Sequence, residues 1–175
     1  MTGQMNGDEN LYQTLFETSR DALMVLEPPS WRFTRGNAAA LEMFGAGSEE
    51  EFISAEPWRL SPERQPDGRL SIEQAKEMIE GAMREGTYFF GWTHRRLNGE
   101  DFPATVLLTR VSLSGGTFLQ ATVRDITLEN QAKENEKELT GAKRLIKIMV
   151  GRELKIVELK KEIKELKKKL EEKNK

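Results

Sequence analysis

Three runs of alternating polar and apolar residues follow one another closely in this chain, and they constrain its fold more than any other feature. They cover residues 88–97, 102–111 and 117–125. Asn98-Gly99 separates the first two runs, and Asn-Gly is the strongest short hairpin signal because both residues tolerate positive φ angles. Gly115-Gly116 separates the second run from the third. The pattern predicts three adjacent antiparallel strands.

Shorter elements are predicted before these strands. Two are strands, over residues 22–26 and 31–35, and the others are helices over residues 8–20, 38–44, a few residues from 49, and 71–85. Asn37 is expected to cap the second of these helices, and Ser71 with Gln74 is expected to form a capping box for the longest one. One antiparallel sheet with helices on one face makes an α+β fold.

The net charge of −2 conceals two parts of opposite sign. Residues 143–175 carry a net charge of +7, which leaves −9 for residues 1–142. Every aromatic residue lies at or before Phe118. The sequence therefore predicts a compact acidic domain followed by a basic helix without aromatic residues.

The basic helix shows a heptad pattern that predicts how it would pair. Positions a hold Ala142, Met149, Ile156, Ile163 and Leu170, and positions d hold Leu145, Arg152, Leu159 and Leu166. Isoleucine at a with leucine at d favours a parallel two-stranded coiled coil. Arg152 and the neighbouring Gly151 interrupt the seam. A solvated single helix is the alternative interpretation.

Four segments of the chain carry a family resemblance. They read LFETSRDALMVLE, GNAAALEMFG, FFGWTHRRLNGEDFPATVLLTRV and FLQATVRDIT, and they span residues 15–127. In these segments and in the closing Asp125-Ile126-Thr127, the chain resembles a PAS domain, the sensory module of bacterial and archaeal signalling proteins. The segment GRELKIVELKKEIKEL resembles the connector that follows PAS domains in sensor histidine kinases. The resemblance implies the PAS fold: a five-stranded antiparallel sheet, short helices on one face and a pocket between them, followed by a coiled-coil helix.

The resemblance also implies an organisation and a role. We expect an N-terminal cap helix over residues 1–20, a PAS domain over 21–127 and a signalling helix, or parallel coiled coil, over 128–175. The expected role is sensory input and dimerisation, with a pocket or sheet signal relayed through the coiled coil to an output domain. A ligand-free scaffold that serves only dimerisation is the alternative.

No catalytic constellation is found in the sequence, so the chain is not expected to be an enzyme. Its tail has no phospho-accepting histidine, and the chain has no ATP-binding glycine boxes. The parent protein is expected to be a histidine kinase or a similar signalling protein.

The residue types limit the cofactor. The chain has no cysteine, which excludes the cysteinyl–flavin photochemistry of one PAS subgroup. That subgroup also has a glutamine two residues before the terminal aspartate, where this chain has Val123. Haem is disfavoured because residues 71–86 lack the histidine that haem-binding members commonly supply. A non-covalent flavin, a small metabolite or no ligand are the alternatives that this leaves open.

Strand alternation, combined with the resemblance, implies a set of pocket residues. They are Met78, Ile79, Met83, Phe90, Trp92, His94, Ala104, Val106, Leu108, Leu119, Ala121 and Val123. Most of them have ordinary core packing as the alternative interpretation. For His94 the alternatives are a hydrogen-bonded or half-exposed histidine at the sheet edge, a polar contact to a ligand, or a pH-sensitive group.

The resemblance implies a signal relay through Asp125 and Thr127, with Thr127 as the N-cap of the exit helix. The predicted dimer interface consists of Leu11, Leu15, Leu145, Met149, Ile156, Leu159, Ile163, Leu166 and Leu170.

The expected partners are a second copy of the chain and a small-molecule ligand. Nucleic acid is not expected, because Arg95, Arg96 and Arg124 are too few for a phosphate-binding surface and the domain is acidic. These arginines are instead expected to form surface salt bridges with acidic residues. No apolar stretch approaches the length that spans a bilayer, so membrane insertion is not expected and the predicted location is cytoplasmic.

Overall fold

The computed structural model describes residues 5–55, 57–113 and 115–173. The predicted segment 1–20 therefore begins outside the described residues, and the predicted segment 128–175 ends outside them. The chain divides into two compact units, one ending at Leu128 and the other starting at Glu129. The helices are α1 (Met5–Thr18), α2 (Ala38–Phe44), α3 (Glu49–Ser54), α4 (Ser71–Glu85) and α5 (Thr127–Lys173), with a 3-10 helix at Pro57–Leu60. The strands are β1 (Ala22–Glu27), β2 (Arg32–Gly36), β3 (Thr87–Arg95), β4 (Asp101–Leu113) and β5 (Gly116–Asp125).

The five strands form one antiparallel sheet in the order β2-β1-β5-β4-β3. The predicted meander of β3, β4 and β5 pairs consecutively, and β1 joins it on the far side of β5. In this register Val106 lies opposite Phe90 on one side and Val123 on the other. The turn residue Gly99 has a φ of 91°, as an Asn-Gly hairpin requires. The predicted five-stranded sheet and the α+β fold class are confirmed.

The core lies between one face of this sheet and the helices α2, α3 and α4. Alternate residues of β1, β4 and β5 are buried there, as a strand with one covered face requires. An aromatic cluster closes one end of the core, where the ring centroids of Phe44 and Phe52 lie 5.7 Å apart and those of Phe44 and Phe102 also lie 5.7 Å apart.

Asn37 caps α2 as predicted, and it also holds together parts of the fold that are distant in sequence. Its Oδ1 accepts hydrogen bonds from Ala40 N at 2.9 Å and from Leu23 N at 3.0 Å. Its Nδ2 donates to the carbonyl oxygens of Phe16 and Asp21, each at 3.0 Å. One buried amide therefore joins the end of α1, the start of β1 and the start of α2.

The predicted capping box at Ser71 is wrong. Ser71 is the first residue of α4, its N-cap is Leu70, and no side chain caps this helix. The Ser71 hydroxyl is buried and donates to Pro62 O at 2.6 Å, while it accepts from Gln65 Nε2 at 2.8 Å. The Ser71 hydroxyl therefore forms hydrogen bonds with the loop before α4, whereas the local sequence pattern predicts that it caps the start of the helix.

Helix α5 is one uninterrupted helix of 47 residues. Its described apolar side chains at the predicted a and d positions are exposed, from Ile156 at 41% to Leu170 at 66%. The predicted coiled coil stays a prediction, because one chain alone cannot display it.

Candidate functional site: a cavity between the sheet and α4

A cavity of about 210 Å³ lies between the sheet and α4. It reaches the surface between the β1–β2 turn and the first turns of α4, where Pro29, Ser30, Ile72 and Lys76 are found. The other lining residues are Met24, Leu26, Trp31, Phe33, Ser61, Ser71, Ala75, Met78, Ile79, Phe90, Trp92, His94, Val106, Leu108, Ala121 and Val123.

The structure brings most of the predicted pocket residues to this cavity. Nine of them line it: Met78, Ile79, Phe90, Trp92, His94, Val106, Leu108, Ala121 and Val123. The other three, Met83, Ala104 and Leu119, are not among its lining residues. Ala104 and Leu119 are buried in the adjoining core, and Met83 packs against that core from α4. Their side chains fill the space beside the cavity.

Sequence reasoning missed the wall that β1, β2 and the loop before α4 contribute. Met24 and Leu26 face the cavity because they lie on the covered side of β1, and Met24 pairs with Ala121. The same alternation argument, extended to β1, would have found both. Trp31 also lines the cavity, with a φ of 53° that a bulky residue rarely adopts. No local pattern in the sequence points to Trp31 or Ser61.

Two ionisable residues, His94 and Lys76, line the cavity, and of these His94 is buried. Its ring is buried, and its Nδ1 lies 3.0 Å from Leu60 O. A carbonyl oxygen only accepts, so Nδ1 carries the proton and Nε2 keeps a free lone pair. Nε2 is buried and has no hydrogen-bond partner among the described residues. His94 is thus hydrogen-bonded, as one interpretation predicted, but it is buried instead of half-exposed.

Burial controls the charge of this histidine. Removal from water lowers the pKa of His94 to about 4, although its hydrogen bond to Leu60 O works in the opposite direction. The aromatic rings of Phe44, Phe102 and Trp92 surround it at centroid distances of 5.1, 5.7 and 6.5 Å. His94 is therefore neutral near pH 7.

The loop after the 3-10 helix fixes the polar groups beside the cavity. Trp92 Nε1 donates to Ser61 Oγ at 2.9 Å, which satisfies the indole N–H that a buried tryptophan must place. Gln65 pairs with Thr93 through two hydrogen bonds, at 2.8 and 3.1 Å, and so joins this loop to the edge of β3. The loop thereby holds Ser61 against Trp92 and Leu60 O against His94.

Apolar side chains form most of the cavity wall. The Ser71 hydroxyl donates to Pro62 O, and the Ser61 oxygen accepts from Trp92 Nε1. No group of three or more His, Asp or Glu side chains that could hold a metal ion occurs among the described residues. A volume of about 210 Å³ lies below the roughly 300–1,000 Å³ of sites for drug-sized ligands.

The predicted relay residues lie where the sheet passes into α5. Asp125 Oδ1 accepts from Thr127 N at 2.8 Å, and Asp125 Oδ2 lies 2.6 Å from Arg96 Nη2. Burial raises the pKa of Asp125, but its interactions with Thr127 and Arg96 outweigh this and hold the pKa below its usual value. Thr127 is the first residue of α5 and not its N-cap, because Asp125 takes the capping contact.

The three arginines that could have formed an anion site are each paired with an aspartate. Arg95 binds Asp101 and Arg124 binds Asp21, both through two nitrogens at 2.6 to 2.9 Å. Arg96 pairs with Asp125 and also donates to Met43 O. The expected salt bridges are present, with aspartates as the main partners.

Of the predicted dimer residues, Leu11 and Leu15 are more than half exposed on α1. Leu145, Met149, Ile156, Leu159, Ile163, Leu166 and Leu170 are exposed along α5. Within the described parts of the chain, no helix combines the length and apolar character needed to cross a bilayer.

Comparison with known proteins identifies the fold and the family. A family model described as a PAS domain matches residues 20–128, more than half of the chain. Comparison with curated proteins gives no match.

Solved structures resemble the chain over the same region. A PAS domain from a two-component sensor histidine kinase is 19% identical, with a TM-score of 0.56, and the match covers 69% of this chain and 98% of that one. A PAS domain from Colwellia psychrerythraea is 16% identical with a TM-score of 0.57, covering 69% and 98%. The PAS domain of an HTR-like protein from Haloarcula marismortui is 22% identical with a TM-score of 0.57, covering 70% and 95%. At these identities the similarity concerns the fold.

Proposed function

This chain belongs to the PAS domain family, and from that premise we propose that it is the sensory input and dimerisation module of a signalling protein of the sensor histidine kinase kind. Binding of a small metabolite in the cavity changes the conformation of the sheet, and α5 transmits this change to an output domain. Catalysis belongs to that output domain, and the protein acts in the cytoplasm.

One observation carries the proposal: strands β3 and β5 both line the cavity, and both lead to residues that meet at the start of α5. His94 lines the cavity, and Arg96 follows it two residues later. Val123 lines the cavity on β5, and Asp125 follows it two residues later. Arg96 and Asp125 then pair at 2.6 Å. A ligand that moves either strand would therefore also displace Asp125, whose side chain accepts a hydrogen bond from Thr127 N, the first residue of α5.

The helix α5 supports the dimerisation part of the proposal. Except for Arg152, its a and d positions carry apolar side chains that nothing in the described chain covers, including Leu159 and Leu166, which are 45% and 64% exposed. A second copy of the same helix fits this seam, because Glu162 at a g position would face Lys167 at an e position of the other helix. Lys155 and Lys160 would repel each other, which weakens the coil near Arg152.

Two leucines of α5 provide a matched test of the dimer. Leu159 is at a d position, whereas Leu154 is at an f position on the opposite side of the helix. Leu159→Lys is expected to convert a dimer into a monomer in sedimentation equilibrium, and Leu154→Lys is expected to leave the dimer intact. Equal effects of both changes, or a monomeric unsubstituted chain, would rule out the coiled coil.

The sensing part is tested through the cavity. Val106→Phe adds a ring that would fill the space between β4 and α4. A metabolite retained through purification would appear in native mass spectrometry of the unsubstituted chain and disappear from this variant. A dimer with no bound molecule, and with no response to candidate metabolites, would favour the ligand-free scaffold. An absorption spectrum without a flavin band is expected.

A further inference from the structure

Four aromatic side chains of the apolar wall favour a particular shape of bound molecule. Trp31 and Phe33 come from the β1–β2 turn and β2, and Phe90 and Trp92 come from β3. The rings of Phe90 and Trp92 lie edge to face, with their centroids 5.7 Å apart and an interplanar angle of 84°. Aromatic rings attract a further ring in edge-to-face or offset geometry, so this wall suits a ligand that is itself aromatic.

Two methionines add to this preference from opposite sides of the cavity. Met24 lies on β1 in the sheet, and Met78 lies on α4. A thioether is polarisable and makes favourable contacts with the edge of an aromatic ring. A ring bound between the sheet and α4 would therefore meet a thioether on both sides.

The polar groups of the wall are engaged within the protein. The Ser71 hydroxyl donates to Pro62 O at 2.6 Å, and Ser61 Oγ accepts from Trp92 Nε1 at 2.9 Å. His94 donates from Nδ1 to a backbone carbonyl, and protein atoms cover its Nε2. A ligand with a hydrogen-bonding group would lose its bonds to water on entry, and these atoms offer little in return.

The wall also lacks a charge inside the cavity. His94 and Lys76 are the ionisable residues that line it, and Lys76 is exposed at the mouth. Burial lowers the pKa of His94 to about 4, so its ring is neutral near pH 7. A charged ligand would give up its hydration without gaining a counter-charge.

The cavity volume sets the size of the ligand. A cavity of about 150 Å³ with an apolar lining holds benzene. At the same space per carbon atom, the volume of about 210 Å³ here holds about eight carbon atoms. That corresponds to one ring with a short substituent, or to two small fused rings.

We infer that this cavity takes a small, uncharged aromatic molecule of hydrocarbon character, which it holds by apolar contact without a directional hydrogen bond. The inference rests on the proposed sensory function and names the chemical class of the ligand. Removal of apolar surface from water supplies the affinity, and the rings and thioethers of the wall select an aromatic shape.

Indene, indole and benzofuran form a matched set of probes. The three have nearly the same shape, but indole has an N–H and benzofuran has an ether oxygen where indene has a methylene group. Because the indole N–H loses its hydrogen bond to water and gains no partner in this wall, indene is expected to bind about tenfold more tightly than indole. Benzofuran is expected to bind no more tightly than indene.

The aromatic preference has its own comparison. Hydrindane is the saturated counterpart of indene and is the more hydrophobic of the two. In competition against indene, hydrindane is nevertheless expected to bind about threefold more weakly, because it lacks the ring contacts.

The methionine methyl groups report where the probes bind. The full chain, refolded from urea to release any retained molecule, is titrated while its methionine methyl signals are recorded by NMR. The ring current of a bound aromatic probe is expected to shift the signals of Met24 and Met78, which line the cavity. Met149 on α5 is the internal control, and its signal is expected to stay in place.

Two neighbouring substitutions locate the site. Val106→Phe places a ring in the cavity, whereas Leu107→Phe places one on the opposite face of β4, where Leu107 is 37% exposed. Val106→Phe is expected to lower the affinity for indene about tenfold or more, and Leu107→Phe is expected to leave it unchanged. Should Val106→Phe fail to fold, Ala75→Leu narrows the same cavity from α4.

Several outcomes would overturn the ligand class and leave the sensory function standing. They are indole binding as tightly as indene, benzofuran binding more tightly, hydrindane competing equally, or a metabolite retained in native mass spectrometry while no probe shifts Met24 or Met78. Indene that binds the cavity-filling variants unchanged would place its site elsewhere and overturn the inference too. If no probe binds and native mass spectrometry finds no retained molecule, the proposed sensory cavity fails as well.

Discussion

Arg96 Nη2 lies 2.6 Å from Asp125 Oδ2, and this contact joins the end of β3 to the residue that caps α5. Arg96 also donates to Met43 O and stacks over the Phe102 ring at 4.1 Å from its centroid. The pair is only about a quarter exposed, with side-chain exposures of 23% and 25%. Screening by water is therefore weaker here than for a typical surface ion pair.

Substitutions at Asp125 separate the ion pair from the helix cap. Asp125→Asn keeps an oxygen for Thr127 N and loses the charge, so we expect a loss of about 1 kcal/mol in the free energy of unfolding. Asp125→Ala removes both contacts, and we expect about 2 kcal/mol. Urea unfolding followed by tryptophan fluorescence measures this, because all three tryptophans precede Phe118.

The exposed pair Arg95–Asp101 is the control for this measurement. Its nitrogen–oxygen distance is also 2.6 Å, but both side chains are about two-fifths exposed. Asp101→Asn is expected to have little effect on unfolding. If Asp125→Asn is equally harmless, or if it does not couple to Arg96→Gln in a double-mutant cycle, the relay contact has no energetic role.

Asn37 is expected to tolerate no loss of its amide donors. Asn37→Asp keeps the acceptors for Leu23 N and Ala40 N, but it places a carboxylate beside the carbonyl oxygens of Phe16 and Asp21. We expect a loss of about 3 kcal/mol near neutral pH, since a fully buried group loses its donors and gains a charge.

Asn98→Asp is the matched control for Asn37→Asp. Asn98 is exposed in the β3–β4 turn, where its Oδ1 accepts from Glu100 N at 3.0 Å. Aspartate preserves that acceptor and suits the same turn, so the change in stability is expected to stay within about 0.5 kcal/mol. Similar costs at both positions would contradict the special role of the buried amide.

Local sequence patterns were sufficient to predict the helices and strands, but they did not predict the contacts between these elements. Alternation placed Val106 and Val123 on the covered face because a strand repeats every two residues. The capping role of Asn37 was predictable because it involves a neighbour three residues away. Its bond to Phe16 was not, and neither was the contact of His94 with a carbonyl 34 residues earlier in the chain. Such contacts depend on how elements pack, which periodicity does not report.

Ser71 shows the same limit as an error. Its sequence context matches a capping box, yet the hydroxyl binds Pro62 O and Gln65. Two hydrogen bonds to the preceding loop replace the one that a cap would form. The part of the wall formed by Ser61 and Trp31 depends on that loop and on the β1–β2 turn, and no local pattern in the sequence indicates it.

Gly81 is expected to reverse the usual effect of alanine in a helix. Replacing an interior helical glycine by alanine commonly stabilises by about 1 kcal/mol. A Cβ at Gly81 would lie 2.7 Å from Tyr88 Cδ2, closer than real contacts allow. We therefore expect Gly81→Ala to destabilise the first unit by about 1–2 kcal/mol, as measured by urea unfolding.

Two further substitutions decide whether the Tyr88 ring is the cause. In a Tyr88→Ala background the clash is absent, so Gly81→Ala should become stabilising. Gly151 on α5 has open space where a Cβ would lie, and Gly151→Ala should raise helix content in far-ultraviolet circular dichroism. A stabilising Gly81→Ala in the otherwise unchanged chain would show that Tyr88 moves aside freely.

His94 makes stability depend on pH in a defined window. Its pKa is about 4 in the folded chain and 6.5 without burial, so between these values only the unfolded chain takes up the proton. The resulting stability is complete above about pH 6.5 and is lost as the pH falls towards about 4, so the free energy of unfolding should be about 2 kcal/mol lower near pH 5 than near pH 7. The carboxylates with lowered pKa values are Asp21, Asp101, Asp125, Glu50 and Glu77, and they lose most of their contribution below about pH 5, so they change little between pH 7 and pH 5. His94→Asn has no group that titrates there, and its unfolding free energy should change little between the same two pH values. A pH dependence that survives in His94→Asn would assign the effect to another group, and a flat profile in the unsubstituted chain would mean that His94 is solvated.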